Sequence, residues 1–329
     1  MSTHKIKKIP NNKTHKKTKK KTQKIVVFDL DETLGHFSEM GILIEALSIL
    51  KANHFFKENI ISNSNANSKA KSNAKKDYFH TISKLFFNQL MDTYPEFMRP
   101  NMINIFEKLK ALKKNKDVKI VLYTNNMGPR NWSLYIKNYI EHKINSKIFD
   151  KIITKYDRHH KHNCRTTHHK TYNDLIRCLK SGGIVSNNTN KNESYKHDKQ
   201  IKILFFDDQN HPEMKHKNVK YVKLVPYQVK VPFQKMIQRF NLANSGEKDV
   251  FKNFFSLKPE ITQEAFDKAS VEILNTINNK HSKFRKKNDK ATRKDLLESK
   301  KILNAIQKFT KSKSRKKKQK KTTQTRKLK

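Results

Sequence analysis

Ile25-Val26-Val27-Phe28-Asp29-Leu30-Asp31-Glu32-Thr33-Leu34 is the stretch on which the fold turns. Its first four residues form a short apolar, largely β-branched run, the pattern of a strand buried on both faces. Two carboxylates follow at once, two residues apart. A carboxylate at the end of a buried strand projects beyond the sheet, and the second reaches the same cleft if the chain turns there. Any strand is open to being followed by an acidic turn, so the pair acquires meaning only from the rest of the chain.

Three similar runs follow: Val118–Tyr123, Ile201–Phe206 and Val219–Leu224. Between them, apolar residues recur at helical spacing. Ile103, Ile105, Phe106, Leu109 and Leu112 share one face, as do Trp132, Tyr135, Ile136 and Ile140, and then Tyr172, Leu175, Ile176 and Leu179. Strands alternating with helices predict βαβ crossovers and an α/β fold with a mainly parallel sheet and flanking helices. Ligands of such sheets bind beyond the carboxyl ends of the strands. At that edge the second strand ends in Tyr123-Thr124-Asn125-Asn126 and the third in Phe206-Asp207-Asp208, while Lys170 opens the intervening helix.

Asp29-x-Asp31-x-Thr33, the strand-terminal Thr124, Lys170 and the Asp207-Asp208 pair, in that order, resemble the four motifs of haloacid dehalogenase (HAD) superfamily phosphatases, whose fold is Rossmannoid. Ile25–Phe37, Arg99-Pro100 before a helix, and the Thr124 strand further resemble the NLI-interacting-factor-like branch, which includes the phosphatases of the RNA polymerase II carboxy-terminal domain. The resemblance covers roughly residues 24–242, with gaps. It implies a Mg²⁺ ion held by Asp29, by the backbone carbonyl of Asp31 and by Asp208, with Asp207 ligating or orienting. It implies Asp29 as nucleophile, Asp31 as general acid and base, and Thr124, Asn125 and Lys170 as phosphate-binding groups. The residue types suit the chemistry. A phosphate ester repels an attacking carboxylate, and a hard divalent cation with oxygen ligands neutralises both charges. An acid at position 31 favours turnover of the aspartyl-phosphate. Thr33 reads as the motif threonine or as a turn hydroxyl. Arg99 reads as a substrate contact or as the residue that opens a helix with Pro100.

The chain departs from that branch between Leu34 and Arg99. The stretch is long, with helical patterns over 42–58 and 79–92 joined by the polar Ser62–Lys76. An insertion over about 36–98 is therefore expected, either capping the site or decorating the fold. The match around Lys170 is loose, and Asp208 stands where near relatives often carry Asn. His159, His160, His162, Cys164, His168 and His169 are possible zinc ligands, but no Cys-x-x-Cys pair or helix-spaced histidines anchor them, so a solvated loop near the cleft is expected, with substrate contact as the other alternative. Cys164 and Cys178 are too few for a disulfide framework and are expected as thiols in a reducing compartment.

The charge is extreme: 73 Lys and Arg against 29 Asp and Glu, a formal +44 over 329 residues. Residues 1–24 hold ten lysines and no acid, and residues 280–329 hold 22 basic residues against three acidic ones. Basic disordered tails are expected over 1–23 and 281–329, around a catalytic domain over 24–242 and a helical extension over 243–280. Helical patterns lie at 231–241 and 261–278. Leu296, Leu297, Ile302, Leu303 and Ile306 fit an amphipathic helix within the last tail. The run Ser314–Lys321 reads as a nucleic-acid or nuclear-localisation patch, or as a solubilising tail. Binding through such tails would be sequence-blind and salt-dependent.

With no apolar run near 18 residues and no apolar leader segment, an intracellular protein without membrane contact is expected, cytoplasmic or nuclear. Abundant Lys, Asn and Ile with only six Gly match an AT-rich genome, such as that of a large DNA virus or a protist. In the viral case the expected place is host cytoplasm or virion. Three functions compete. The leading one is a phosphoprotein Ser/Thr phosphatase tethered by its tails. The alternatives are a nucleic-acid-end or small-molecule phosphatase, and a catalytically idle HAD-fold protein that binds nucleic acid or sits in a virion.

Overall fold

The computed structural model describes residues 22–47, 84–114, 118–126, 131–158, 164–185, 201–244, 268, 271–272, 274–275 and 290–311. The Ser62–Lys76 stretch, most of Ser181–Lys199, residues 1–21 and the Ser314–Lys321 run lie outside them, as do His159, His160 and His162.

Five strands form one parallel sheet in the order β3-β2-β1-β4-β5: β1 Gln23–Phe28, β2 Val118–Tyr123, β3 Lys151–Ile153, β4 Ile201–Asp207 and β5 Val219–Lys223. Central β1 pairs with both β2 and β4, with Phe28 opposite Leu122 on one side and Phe206 on the other. Alternate residues feed two cores, as the pleat requires. Val26, Phe28, Ile120, Leu122, Leu204 and Phe206 face one of them. Ile25, Val27, Val121, Tyr123, Ile203 and Phe205 face the other. Four of these strands are legible as apolar runs. The three-residue β3 is not, because it offers only Ile152 and Ile153 as signal.

The first core is filled by α1 (residues 38–47), α2 (Lys84–Thr93), α3 (Met102–Lys114), α4 (Trp132–Lys143), α6 (Phe233–Asn244) and α7 (Arg293–Thr310). Helix α5 (Tyr172–Ser181) packs on the second. Helices α1 and α2, which flank the undescribed residues 48–83, bury Met40, Leu43, Ile44, Phe86, Phe87, Leu90 and Met91 in the first core. Helix α2 packs on α4 and α6. The excursion between β1 and α3 is closed at its base, where His36 donates to the Phe97 carbonyl (2.8 Å) and Arg99 to that of Leu34 (2.9 Å).

Two expectations are corrected. Cys164 and Cys178 are joined as a disulfide, with Cα atoms 4.7 Å apart. Separation in sequence hid this, because the loop carrying Cys164 folds onto α5 and brings both sulfurs into the second core. The span 281–329 is not all disordered tail, and the amphipathic helix expected within it is a docked part of the fold. Residues 293–310 form α7, opened by a capping box between Thr292 and Asp295 and burying Ile302, Ala305 and Ile306 in the first core. Ser299 donates to the Pro100 carbonyl (2.6 Å), Lys301 to that of Lys223 (2.7 Å), and Lys24 to that of Thr310 (2.8 Å). Helix α7 thus runs from the carboxyl edge of the sheet back to its amino edge. Its charged face looks like a tail, and only its apolar stripe shows the docking. Among the described residues, no helix is long and apolar enough to cross a membrane.

Candidate active site

In a sheet ordered 3-2-1-4-5, the connections leaving β1 and β4 diverge, opening a crevice at their carboxyl ends. Asp29 follows β1 and donates its backbone N–H to the Phe206 carbonyl at 2.9 Å, which sets it beside the end of β4, where Asp207 and Asp208 lie. One carboxylate oxygen from each of Asp29, Asp207 and Asp208 falls within 4.8 Å of the other two. Residues 178 positions apart thereby share one small volume. Among the described residues, this is the one group of three or more ligand-type side chains so disposed.

The turn after Asp29 brings Asp31 back toward the cleft. Glu32 takes a left-handed conformation (φ 56°), Leu34 N–H bonds the Leu30 carbonyl (2.9 Å) and Glu32 N–H that of Gly35 (2.7 Å). Gly35 is required there, since an added Cβ would stand 2.2 Å from the Phe97 carbonyl oxygen. Buried Arg99 clamps this turn. Its Nε donates to the Thr33 carbonyl (2.7 Å), and Nη2 donates to those of Glu32 (2.6 Å) and Val225 (2.8 Å). Arg99 therefore braces the turn, and the helix it was expected to open with Pro100 begins at Met102. The Thr33 hydroxyl donates to Asp208 Oδ1 at 3.2 Å, which makes it an orienting group for a candidate ligand.

Thr124 is tied to β3 through the Ile153 carbonyl (2.9 Å), and its Oγ1 accepts Asn126 N–H (3.0 Å). The Asn126 amide donates to Asp31 Oδ2 at 2.6 Å, so Asn126 holds the second carboxylate. The Asn125 side-chain carbonyl instead accepts from Arg165 Nη2 (2.8 Å). Lys170 is buried and donates to Asp29 Oδ1 (2.5 Å) and Asp207 Oδ2 (2.7 Å). Its loop is shaped by Asp174, which accepts from the backbone and hydroxyl of Thr166 and Thr167, while Thr171 caps α5 by accepting Asp174 N–H.

The electrostatics follow from burying several acids around one lysine. Burial raises Asp29 well above the usual carboxylate range, and Asp207 and Asp31 add to this against the pull of Lys170. Burial also raises Asp31, partly offset by the Asn126 hydrogen bond. Asp208 is pushed up to about 6, by burial first and then by Asp207 and Glu32. For Asp207, burial is outweighed by His211 and Lys170, and the carboxyl is lowered. Burial pulls Lys170 down, yet Asp29 and Asp207 outweigh it and hold the ammonium above its usual value. Among the described residues, the ion pairs to these four acids come from Lys170 and His211, which reach only Asp29 and Asp207, so formal negative charge is in surplus. Three hard oxygen donors in a buried pocket fit a small divalent ion such as Mg²⁺.

The His/Cys loop loses Cys164 as a metal ligand to the disulfide. Arg165, His211 and Asp174 were not singled out from sequence. Each acts through contacts with residues that only folding brings near, and in so basic a chain an arginine at 165 carries no signal of its own.

No family model matches the sequence, and no curated protein does. Among solved structures, the chain is similar to a HAD-superfamily hydrolase of subfamily IA, variant 1, from Geobacter sulfurreducens. Identity is 13%, over 57% of this chain and 80% of that one, with a TM-score of 0.25. A likeness at that level adds nothing to the geometry above.

Proposed function

We propose that this chain is a HAD-type, Mg²⁺-dependent phosphatase that works through an aspartyl-phosphate on Asp29. The observation that carries the proposal is the convergence of Asp29, Asp207 and Asp208 within 4.8 Å, with Lys170 between the first two. Asp29, Asp208 and Asp207 would hold the ion, joined by the backbone carbonyl of Asp31. When bound, the ion would neutralise the carboxylates and polarise the phosphoryl oxygens.

The chain's own groups supply the rest. An Asp29 oxygen forms a bond to phosphorus as the bond to the leaving oxygen breaks. Asp31 gives its proton to that leaving oxygen. Water then attacks phosphorus, Asp31 takes its proton, and the Asp29–phosphorus bond breaks to release phosphate. Thr124, Asn125 and Lys170 steady the phosphoryl oxygens. Asn126, bonded to Asp31, keeps the acid aimed into the cleft.

The substrate we propose is a phosphorylated Ser or Thr in a protein, within an intracellular compartment. The motif resemblance to polymerase carboxy-terminal-domain phosphatases supports it. The described helices α1 and α2 spend their apolar faces in the core. The basic ends would add contact with nucleic acid or acidic partners. That composition also favours a second reading, the phosphorylated end of a nucleic acid.

The test is phosphate release from an aryl phosphate in Mg²⁺, which Asp29→Asn should reduce by at least about 10³-fold. Phosphopeptides, 3′-phosphorylated oligonucleotides and a metabolite panel at physiological salt then separate the substrates. Wild-type protein that retains DNA but releases no phosphate would leave the idle-fold alternative standing.

A further inference from the structure

We infer that Arg165 is a positioning residue that locks the Thr124–Asn125 segment and the Lys170 loop into one phosphate-gripping unit. The inference rests on the phosphatase reading of the site and adds a residue to it.

Arg165 is 2% exposed, in a loop stapled to α5 by the neighbouring Cys164–Cys178 disulfide. Its guanidinium makes contacts in two directions. Toward the end of β2, Nη2 donates to Asn125 Oδ1 (2.8 Å) and Nη1 to the Thr124 carbonyl (3.4 Å). Toward the lysine loop, Nη2 donates to the carbonyls of His168 and His169 (both 3.1 Å), the two residues before Lys170. The guanidinium carbon lies over the Tyr123 ring, 5.0 Å from its centroid, and the Tyr123 hydroxyl accepts Thr171 N–H at 3.3 Å. The fork therefore couples two segments about 40 residues apart in sequence. A lysine could bring the charge but not the planar, multi-donor geometry.

The charge matters as well as the brace. None of these hydrogen bonds goes to a carboxylate, and among the described residues the buried Nε has no hydrogen-bond partner. A neutral group would suffice for a purely structural tie, and burying an uncompensated cation is costly. Lys170 is already paired with Asp29 and Asp207. Arg165 is thus the buried cation beside Thr124 and Asn125 whose charge a phosphoryl group would balance, without the guanidinium itself touching the reacting atoms.

The test uses full-length protein with aryl phosphate, and calorimetric titration of inorganic phosphate into the Mg²⁺-loaded protein. Arg165→Met should raise KM and the phosphate Kd by roughly 10- to 100-fold, a range typical of misplaced binding groups, with the Mg²⁺ half-saturation unchanged. Arg165→Lys should keep the fold and recover part of the phosphate affinity. Asn125→Ala, costly in the wild type, should cost less than about threefold when added to Arg165→Met or Arg165→Lys, because both act through one unit. Additive losses would overturn the inference. So would a Mg²⁺ half-saturation that moves with KM, or lower thermal stability with wild-type KM and Kd. If Arg165→Met does not fold, Arg165→Lys with wild-type KM and Kd overturns it equally. A wild type that binds phosphate without hydrolysis defeats the phosphatase reading alone, and the variants' phosphate affinities still decide the role of Arg165. A wild type that does neither overturns both.

Discussion

A chain ending at residue 290 should lose both its fold and its turnover, whereas one ending at 311 should keep both. The difference between the two is α7. Ile302 and Ile306 are fully buried in the first core, Ala305 nearly so, and Leu303 and Phe309 pack at its edge. Removing the side chain of a buried isoleucine costs about 2–5 kcal/mol, so the two isoleucines alone represent roughly 4–10 kcal/mol. That is comparable to the whole stability of an ordinary domain, about 5–15 kcal/mol. The loss would also reach the site. Glu298 accepts Val225 N–H (3.1 Å), and the Val225 carbonyl accepts from Arg99, which clamps the turn carrying Asp31. Helix α7 ends at the amino edge of the sheet, where Thr310 meets Lys24, at the end away from the carboxylates. Urea unfolding and aryl-phosphate turnover should be measured on both truncations and on Ile306→Ala. The point variant should unfold cooperatively about 2–5 kcal/mol below wild type, about 4–20 °C in thermal midpoint for a domain of this size. If the chain ending at 290 unfolds at the wild-type urea midpoint and turns over normally, the helix does not belong to the core.

In chelator at pH 7, Asp208→Asn should be more stable than wild type, by up to about 3 kcal/mol. The carboxyl stands at about 6 against an ordinary 3.8, at about 1.36 kcal/mol per unit. The sign follows from proton binding: the folded state holds the extra proton, so the penalty builds as pH rises from 3.8 to 6 and is constant above that. The advantage of Asn should therefore vanish near pH 4, and Mg²⁺ should no longer raise the midpoint. No gain in chelator would count against the charge surplus. Asp174 is the opposite case: burial works against its ionised form, but the Thr166 and Thr167 hydrogen bonds outweigh it and hold the carboxyl low. Its contribution is present above the ordinary 3.8 and lost as pH falls through the lower folded value. Asp174→Asn should cost about 2–3 kcal/mol at pH 7, a difference that urea titrations should find shrinking below pH 4. Gly35→Ala should cost about 1–3 kcal/mol through overpacking against Phe97 and Phe37 and lower kcat, and unchanged unfolding would refute the close approach.

Period and punctuation in the chain were enough to read four of the five strands, the parallel α/β order, and the placing of Asp29, Thr124 and Asp207-Asp208 at one edge of the sheet. These features are local: a doubly buried strand needs a continuous apolar run, and a residue just after it must emerge at the carboxyl end wherever the strand lies in the sheet. The strand order, with β1 between β2 and β4, belongs to the tertiary structure. So do the pairing of Cys164 with Cys178, the docking of α7 against β4 and the two arginine clamps. Arg99 and Arg165 make their bonds to backbone carbonyls and to one amide, and any residue supplies a carbonyl, so no partner type in the sequence announces them. Helix α7 itself was legible in the spacing of Leu296, Leu297, Ile302, Leu303 and Ile306, but its docking on the core was obscured by the same physics from the other side. Its buried stripe is narrow and its solvent face is lysine-rich, so local composition resembles a tail until packing selects the apolar face.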